Sequence, residues 1–230
     1  LKTGNETKRL TAGRGPSYLA ASADGKNVYA THVYPNLGAH RTAPESEITV
    51  IDPASQRVSD RIRLHNIGGV FHIATSADGK LTAVAQLRPK NLIPLAHVEH
   101  GWVFGNSLTV FGEGFTGTVQ VPLDELERYF ALPYGVAISP DHSRIYVSSA
   151  GSDIVSVIDT ARLAAFARKN TNFSNDLSAS ANYVIARIAV GKNPRGIALS
   201  PDGKRLYVAN RMDDTISVID TQFNVLLSTI

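Results

Sequence analysis

An all-β fold, a β-propeller of four-stranded antiparallel blades, is what this sequence predicts, on three observations. A Ser-x-Asp turn recurs as Ser22-Ala-Asp-Gly25, Ser76-Ala-Asp-Gly79, Ser139-Pro-Asp-His142 and Ser200-Pro-Asp-Gly203. A β-branched strand closed by aspartate recurs as Thr49-Val-Ile-Asp52, Ser156-Val-Ile-Asp159 and Ser217-Val-Ile-Asp220. Between them stand Asn27-Val-Tyr-Ala-Thr31, Arg144-Ile-Tyr-Val-Ser148 and Arg205-Leu-Tyr-Val-Ala-Asn210, giving a repeat near the roughly 40 residues expected of a propeller blade.

The last repeat shows the logic. Ile197 to Ser200 is a short apolar strand, and Ser200-Pro-Asp-Gly203 is a turn in which Pro presets one φ and Gly is free to take a positive one. Arg205 to Asn210 and Thr215 to Asp220 follow as second and third strands, and Asn224 to Ile230 as the outermost. Applied along the chain, the pattern places blades at about 12–64, 65–122, 131–190 and 191–230. The second repeat departs, with Leu108-Thr-Val-Phe-Gly112 as its third strand, which marks it as specialised. Thr7 to Thr11 matches the outer strand around Ala186-Arg-Ile-Ala-Val-Gly191, so one spare outer strand is expected.

These second strands resemble the Tyr-Val-Thr-Asn β-propeller repeat family, a group close to surface-layer propellers and the propeller of nitrous oxide reductase. The resemblance covers nearly the whole chain. It implies a seven-bladed ring of which four blades are present, completed by further sequence or another copy, and a location in the periplasm or cell exterior. For function it is permissive, since such propellers serve as binding platforms, redox scaffolds and lactonase-like hydrolases.

Composition agrees with sheets filled by aliphatic residues: 230 residues, 43% hydrophobic and only 7% aromatic. A net charge of +3, with Lys and Arg scattered, gives no reason to expect nucleic acid. No apolar run approaches the roughly 18–20 residues that span a bilayer. With no Cys, the chain forms no disulfide and carries no covalently attached haem; any such group belongs to a partner.

Alternating strand direction sends the loops between second and third strands to the same face as the connections between blades, here termed the upper face. The two long insertions, 31–47 and 86–106, both fall there and are expected to fold as lids. The third insertion, 161–182, emerges on the lower face and begins with a helix over Ala161 to Lys169. A second short helix is expected at Asp124 to Phe130, with its carboxylates solvated.

Aligning the first residues of the inner strands places Ser17-Tyr18, Phe71-His72, Tyr134-Gly135 and Arg195-Gly196 at equivalent positions around the channel mouth. Ligand contacts are accordingly expected from Tyr18, Phe71, His72, Trp102, Tyr134 and Arg195. In Leu95-Ala-His-Val-Glu-His-Gly-Trp102, His97 and His100 are spaced to offer two imidazoles to a transition metal, with His72 as third ligand. His-x-x-His without further spacing constraints is a weak signal, and hydrogen bonding to loop carbonyls is the commoner role for His97 and His100 in an irregular segment. The aspartates closing the turns and third strands are expected to accept backbone N–H groups.

No Gly-x-Ser-x-Gly elbow, phosphate loop, dinucleotide fingerprint or His-Glu-x-x-His motif is present. The expected function is a non-catalytic platform binding a partner, such as a redox protein or cell-envelope component, through 31–47 and 86–106. The alternatives are a metal- or cofactor-assisted oxidoreductase subunit and a lactonase-like hydrolase.

Overall fold

Each Ser-x-Asp turn is a closed local network. In the computed structural model, which describes residues 5–39, 42–90 and 103–230, the Ser22, Ser76, Ser139 and Ser200 hydroxyls donate to the aspartate two residues on at 2.6–2.7 Å. The same hydroxyls accept the amide five residues on, from Asn27, Leu81, Arg144 and Arg205. The turn's last residue has positive φ in all four, +68° at Gly25, +74° at Gly79, +71° at Gly203 and +60° at His142. Glycine adopts this conformation freely and His142 at some cost.

Each of these turns joins the first two strands of one of four meanders, which together hold sixteen strands among the described residues. The first sheet comprises β1 (Pro16–Ala21), β2 (Val28–His32), β3 (Glu45–Asp52) and β4 (Arg57–His65); the second β5 (Gly69–Thr75), β6 (Leu81–Pro89), β7 (Phe104–Gly112) and β8 (Val119–Pro122). The third holds β9 (Pro133–Ile138), β10 (Arg144–Ser149), β11 (Ile154–Asp159) and β12 (Val184–Ala189). The fourth holds β13 (Pro194–Leu199), β14 (Arg205–Asn210), β15 (Thr215–Asp220) and β16 (Val225–Thr229). In each sheet the strands are hydrogen-bonded antiparallel in sequence order.

The core lies between blades. Ile48, Leu64 and Ile67 pack against Val70, Ile73 and Val84 between the first two. Leu81, Ala83, Leu108 and Val110 meet Val136, Ile145 and Val147 between the second and third, and Val155, Val157 and Ile188 meet Leu206, Val208 and Ile219 between the third and fourth. Burying each Val, Leu or Ile contributes about 1.5–3 kcal/mol.

The insertion after β11 forms α1 (Thr160–Lys169), whose first turn is capped by Asp159 accepting the Arg162 amide at 2.9 Å. It folds back against the second blade. The Tyr183 hydroxyl donates to the Pro122 carbonyl at 2.6 Å, Ser180 Oγ donates to the Asp124 carbonyl, and Phe166 packs edge-on against Phe173.

The arc of blades is open. The ladder face of the fourth blade away from the third carries exposed Tyr207 and Ile216, and Leu19 is exposed on the first. Two expectations are corrected. Thr7 to Thr11 forms no strand, because the third strand it would pair with is not among the four sheets; instead the Thr11 carbonyl accepts from Arg61. Asp124 to Phe130 forms no helix, only an isolated Glu125–Arg128 bridge, and Asp124 is buried rather than solvated. Its carboxylate draws the segment inward by accepting the Asn106 amide, the Asn106 side chain and the Phe130 amide, each at 2.9 Å.

Candidate functional site

Every inner strand breaks register where it enters from the upper face. The breaks fall between Pro16 and Tyr18, Val70 and His72, Pro133 and Val136, and Pro194 and Ile197. A bulge leaves a residue unpaired and re-aims its side chain, and the residues so released are Ser17, Phe71, Tyr134 and Arg195, the positions that sequence alignment equates. They touch across blades. The Phe71 and Tyr134 rings stack with centroids 5.6 Å apart, and the Arg195 guanidinium lies 4.6 Å from the Tyr134 ring. Tyr18, half exposed, lies over the His72 ring at 3.8 Å.

In the first and third blades a hydroxyl on the second strand bonds the bulge of the next blade. Thr31 Oγ1 donates to the Phe71 carbonyl at 3.3 Å, and Ser148 Oγ donates to the Arg195 carbonyl at 3.0 Å. The second blade has Ala85 at that place. There His72 substitutes: its Nδ1 accepts the Val136 amide of the third blade at 3.3 Å. The accepting Nδ1 puts the ring proton on Nε2. Burial pushes the His72 pKa down to about 4, so the ring is neutral at pH 7. Gly135, equivalent to His72, has no room for a side chain, since an added Cβ would overlap the Arg195 carbonyl oxygen.

The mouth is thus an aromatic ledge ending in one cation. Arg195 Nε donates to Asn193 Oδ1 at 3.0 Å, and no carboxylate pairs with this guanidinium among the described residues. Ser17 Oγ is shared between Thr31 and the Val70 and Phe71 carbonyls of the second blade. The aromatic ledge and the guanidinium can hold a planar or anionic group or a protein side chain.

Of the expected metal ligands, His97 and His100 lie outside the described residues, as does Trp102. His72 would have to ligate through Nε2 after giving up that nitrogen's proton. His32 shares the upper end but not the mouth. It stands on the other face of the first blade, with Nε2 2.9 Å from Thr49 Oγ1, beside a buried Glu47 that pairs with Arg61.

Two features escaped the sequence reading. Exposed large apolar side chains gather on the upper loops, at Tyr34, Leu37, Val103, Phe104, Leu126 and Met212, whereas the lower-face turns show Phe223. No periodicity reports exposure within a loop. On the lower face His142 Nε2 lies 3.1 Å from Asp78 Oδ1, with Glu113 close by and the Lys80 ammonium 3.6 Å from both carboxylates. The departure from Gly at position 142 was the available signal.

Four packed four-stranded blades with bulged inner strands at one end define a β-propeller. Residues 2–224 match the family described as Lactonase, 7-bladed beta-propeller, and the chain belongs to that family. It is 31% identical over 217 residues to "Hydrazine synthase subunit beta" of Kuenenia stuttgartiensis, covering 92% of this chain and 55% of that protein. Among solved structures it is similar to Kuenenia stuttgartiensis Hydrazine Synthase, with a TM-score of 0.77, 30% identity, and coverage of 92% of this chain and 60% of that one. A dihydro-heme d1 dehydrogenase, NirN, shares the fold alone, with a TM-score of 0.60 and 16% identity over 97% of this chain and 39% of that one. The chain therefore spans little more than half the length of the curated relative it matches.

Proposed function

We propose that this chain is a non-catalytic propeller platform that binds a partner protein through its upper face, within a periplasmic or extracellular assembly. The observation that carries this reading is that, among residues in or beside the loops, exposed large apolar side chains gather at the upper end, with Tyr34 and Leu37 on one long loop and Phe104 beside the other, against Phe223 alone on the described lower-face turns. Contiguous exposed apolar surface marks interaction sites, and aromatic residues beside an arginine are the side chains that dominate protein interfaces. The likeness to a protein named as a subunit supports a role inside a larger assembly, and the Tyr-Val-Thr-Asn resemblance supports an envelope location. A covalently tethered c-type haem in such an assembly would sit outside this chain, which has no cysteine to hold it.

The test places a photo-crosslinking amino acid at Leu37, Phe104 or Phe223 in cells making the protein. Adducts of one size from positions 37 and 104 but not from 223 are expected. Equal labelling from 223, or none from 37 and 104, removes the proposal.

The family description favours a second reading, lactone hydrolysis at the mouth with Arg195 holding the carbonyl oxygen. A pH-stat assay on unsubstituted lactones decides it: turnover that falls at least tenfold in Arg195→Ala, a change of about 1.4 kcal/mol, is required, and the absence of turnover ends it. The oxidoreductase alternative, with His72, His97 and His100 as metal ligands, predicts near-stoichiometric transition metal in protein purified without chelators, lost in His97→Ala.

A further inference from the structure

Away from the mouth, the outer edge of the second blade carries a cleft of about 510 Å³, within the size range of small-molecule sites. Its walls come from three places. Arg88 and Gln120 project from β6 and β8, His65 ends the first blade, and Asn170, Asn172 and Phe173 belong to the third-blade insertion folded back across β8. The hydrogen bonds of Tyr183 and Ser180 fix that insertion, so the far wall is built into the fold.

The electrostatics of the cleft are unbalanced. Arg88 is half-buried, and burial depresses its pKa without any acidic neighbour to offset it. Its one hydrogen bond among the described residues runs from Nη1 to Gln120 Oε1 at 2.8 Å, and Gln120 is itself held by donating to the His65 carbonyl at 3.1 Å. Arg88 Nε is enclosed with no acceptor. Gln86, two residues along the same face and fully buried, has its Nε2 likewise without an acceptor. Among the described residues no Asp or Glu lines the cleft. Buried cations in proteins are paired, and a buried donor without an acceptor costs about 1–3 kcal/mol. Val119, Ala167 and Phe173 add apolar patches to a lining that is otherwise polar, with Asn66, Thr118, Thr171 and Ser174.

We propose that this cleft binds a small organic carboxylate, its oxygens on the Arg88 guanidinium and its apolar body against Val119 and Phe173. A planar guanidinium with free donors matches a carboxylate in two-point geometry, and the Asn170 and Asn172 amides at the rim suit further oxygens on the ligand. The site lies at the junction of the first two blades, remote from Arg195, and does not depend on the reading of the upper face.

The test is calorimetric titration with benzoate and with benzamide, two probes of one shape that differ in charge, backed by amide shift mapping at Asn172 to Ser174. Saturable benzoate binding is expected, with benzamide at least about tenfold weaker and Arg88→Gln weakened by the same factor. Gln120→Glu gives Arg88 an internal carboxylate, so it should abolish benzoate binding while raising the melting temperature; this variant keeps the proposal testable if Arg88→Gln misfolds. Equal binding of the two probes, no benzoate binding at millimolar concentration, or benzoate affinity unchanged in Gln120→Glu overturns the assignment.

Discussion

The Nδ1 atom of His72 accepts the amide hydrogen of Val136 at 3.3 Å, joining the second blade to the third where the second blade lacks the hydroxyl its neighbours use. His72, expected from the sequence at the channel mouth, accepts an inter-blade hydrogen bond there, and burial suppresses its basicity.

Burial of His72 makes stability pH-dependent with a definite sign. The folded pKa of about 4 lies below the ordinary value of 6.5, so protons bind preferentially to the unfolded chain. The His72 contribution is intact above about pH 6.5, is lost as pH falls from there toward 4, and is constant below. The full loss is of order 3 kcal/mol. Urea midpoints at pH 7.5, 5.5 and 4.5 for wild type and His72→Asn test this: asparagine keeps an acceptor and does not titrate, so the variant should lose less stability on acidification. Parallel pH curves for the two proteins would contradict it.

Asp124 accepts three N–H groups from two chain segments while buried, so Asp124→Ala leaves them without partners. We expect about 2–4 kcal/mol of destabilisation by chemical denaturation, and faster amide exchange at Asn106 and Phe130.

Gly135→Ala pushes a methyl group into the Arg195 carbonyl and disturbs the contact between the third and fourth blades. A loss of about 1–3 kcal/mol, the usual cost of overpacking, should accompany it. Gly196→Ala, whose Cβ would meet only the Ala209 side chain at 3.8 Å, should be milder. Equal effects would argue against the packing account.

Tyr207 and Ile216 lie exposed on one face of the fourth blade. An open apolar sheet face promotes association, so this 230-residue chain should self-associate in sedimentation experiments. Ile216→Lys should weaken that association at least about tenfold; unchanged association would place the contact elsewhere.

Much of the fold was legible because its signals are local. The Ser-x-Asp turns close within six residues, and the Val-Ile-Asp strands declare their period of two through inward Ile219 and half-exposed Val218. The mouth was legible in part, because equivalent positions in a repeat must occupy equivalent places; Phe71, Tyr134 and Arg195 do come into contact. The work of His72 was hidden, since it depends on Ala85 lacking a hydroxyl and on an amide 64 residues away. Asp124 was misread as solvated because the exposed pattern around it gives no sign of the Asn106 side chain that meets it.

The sequence by itself determined the repeating meander, the turns and the end of the ring to which each loop is sent, because hydrogen bonding within a hairpin and strand alternation act over neighbouring residues. Tertiary structure alone decided which of those residues meet. The bulges that aim Phe71 and Tyr134 at each other, and the insertion that carries Phe173 from the third blade to the cleft beside Arg88, arise from blades packing face to face. Such contacts join residues whose separation along the chain carries no period.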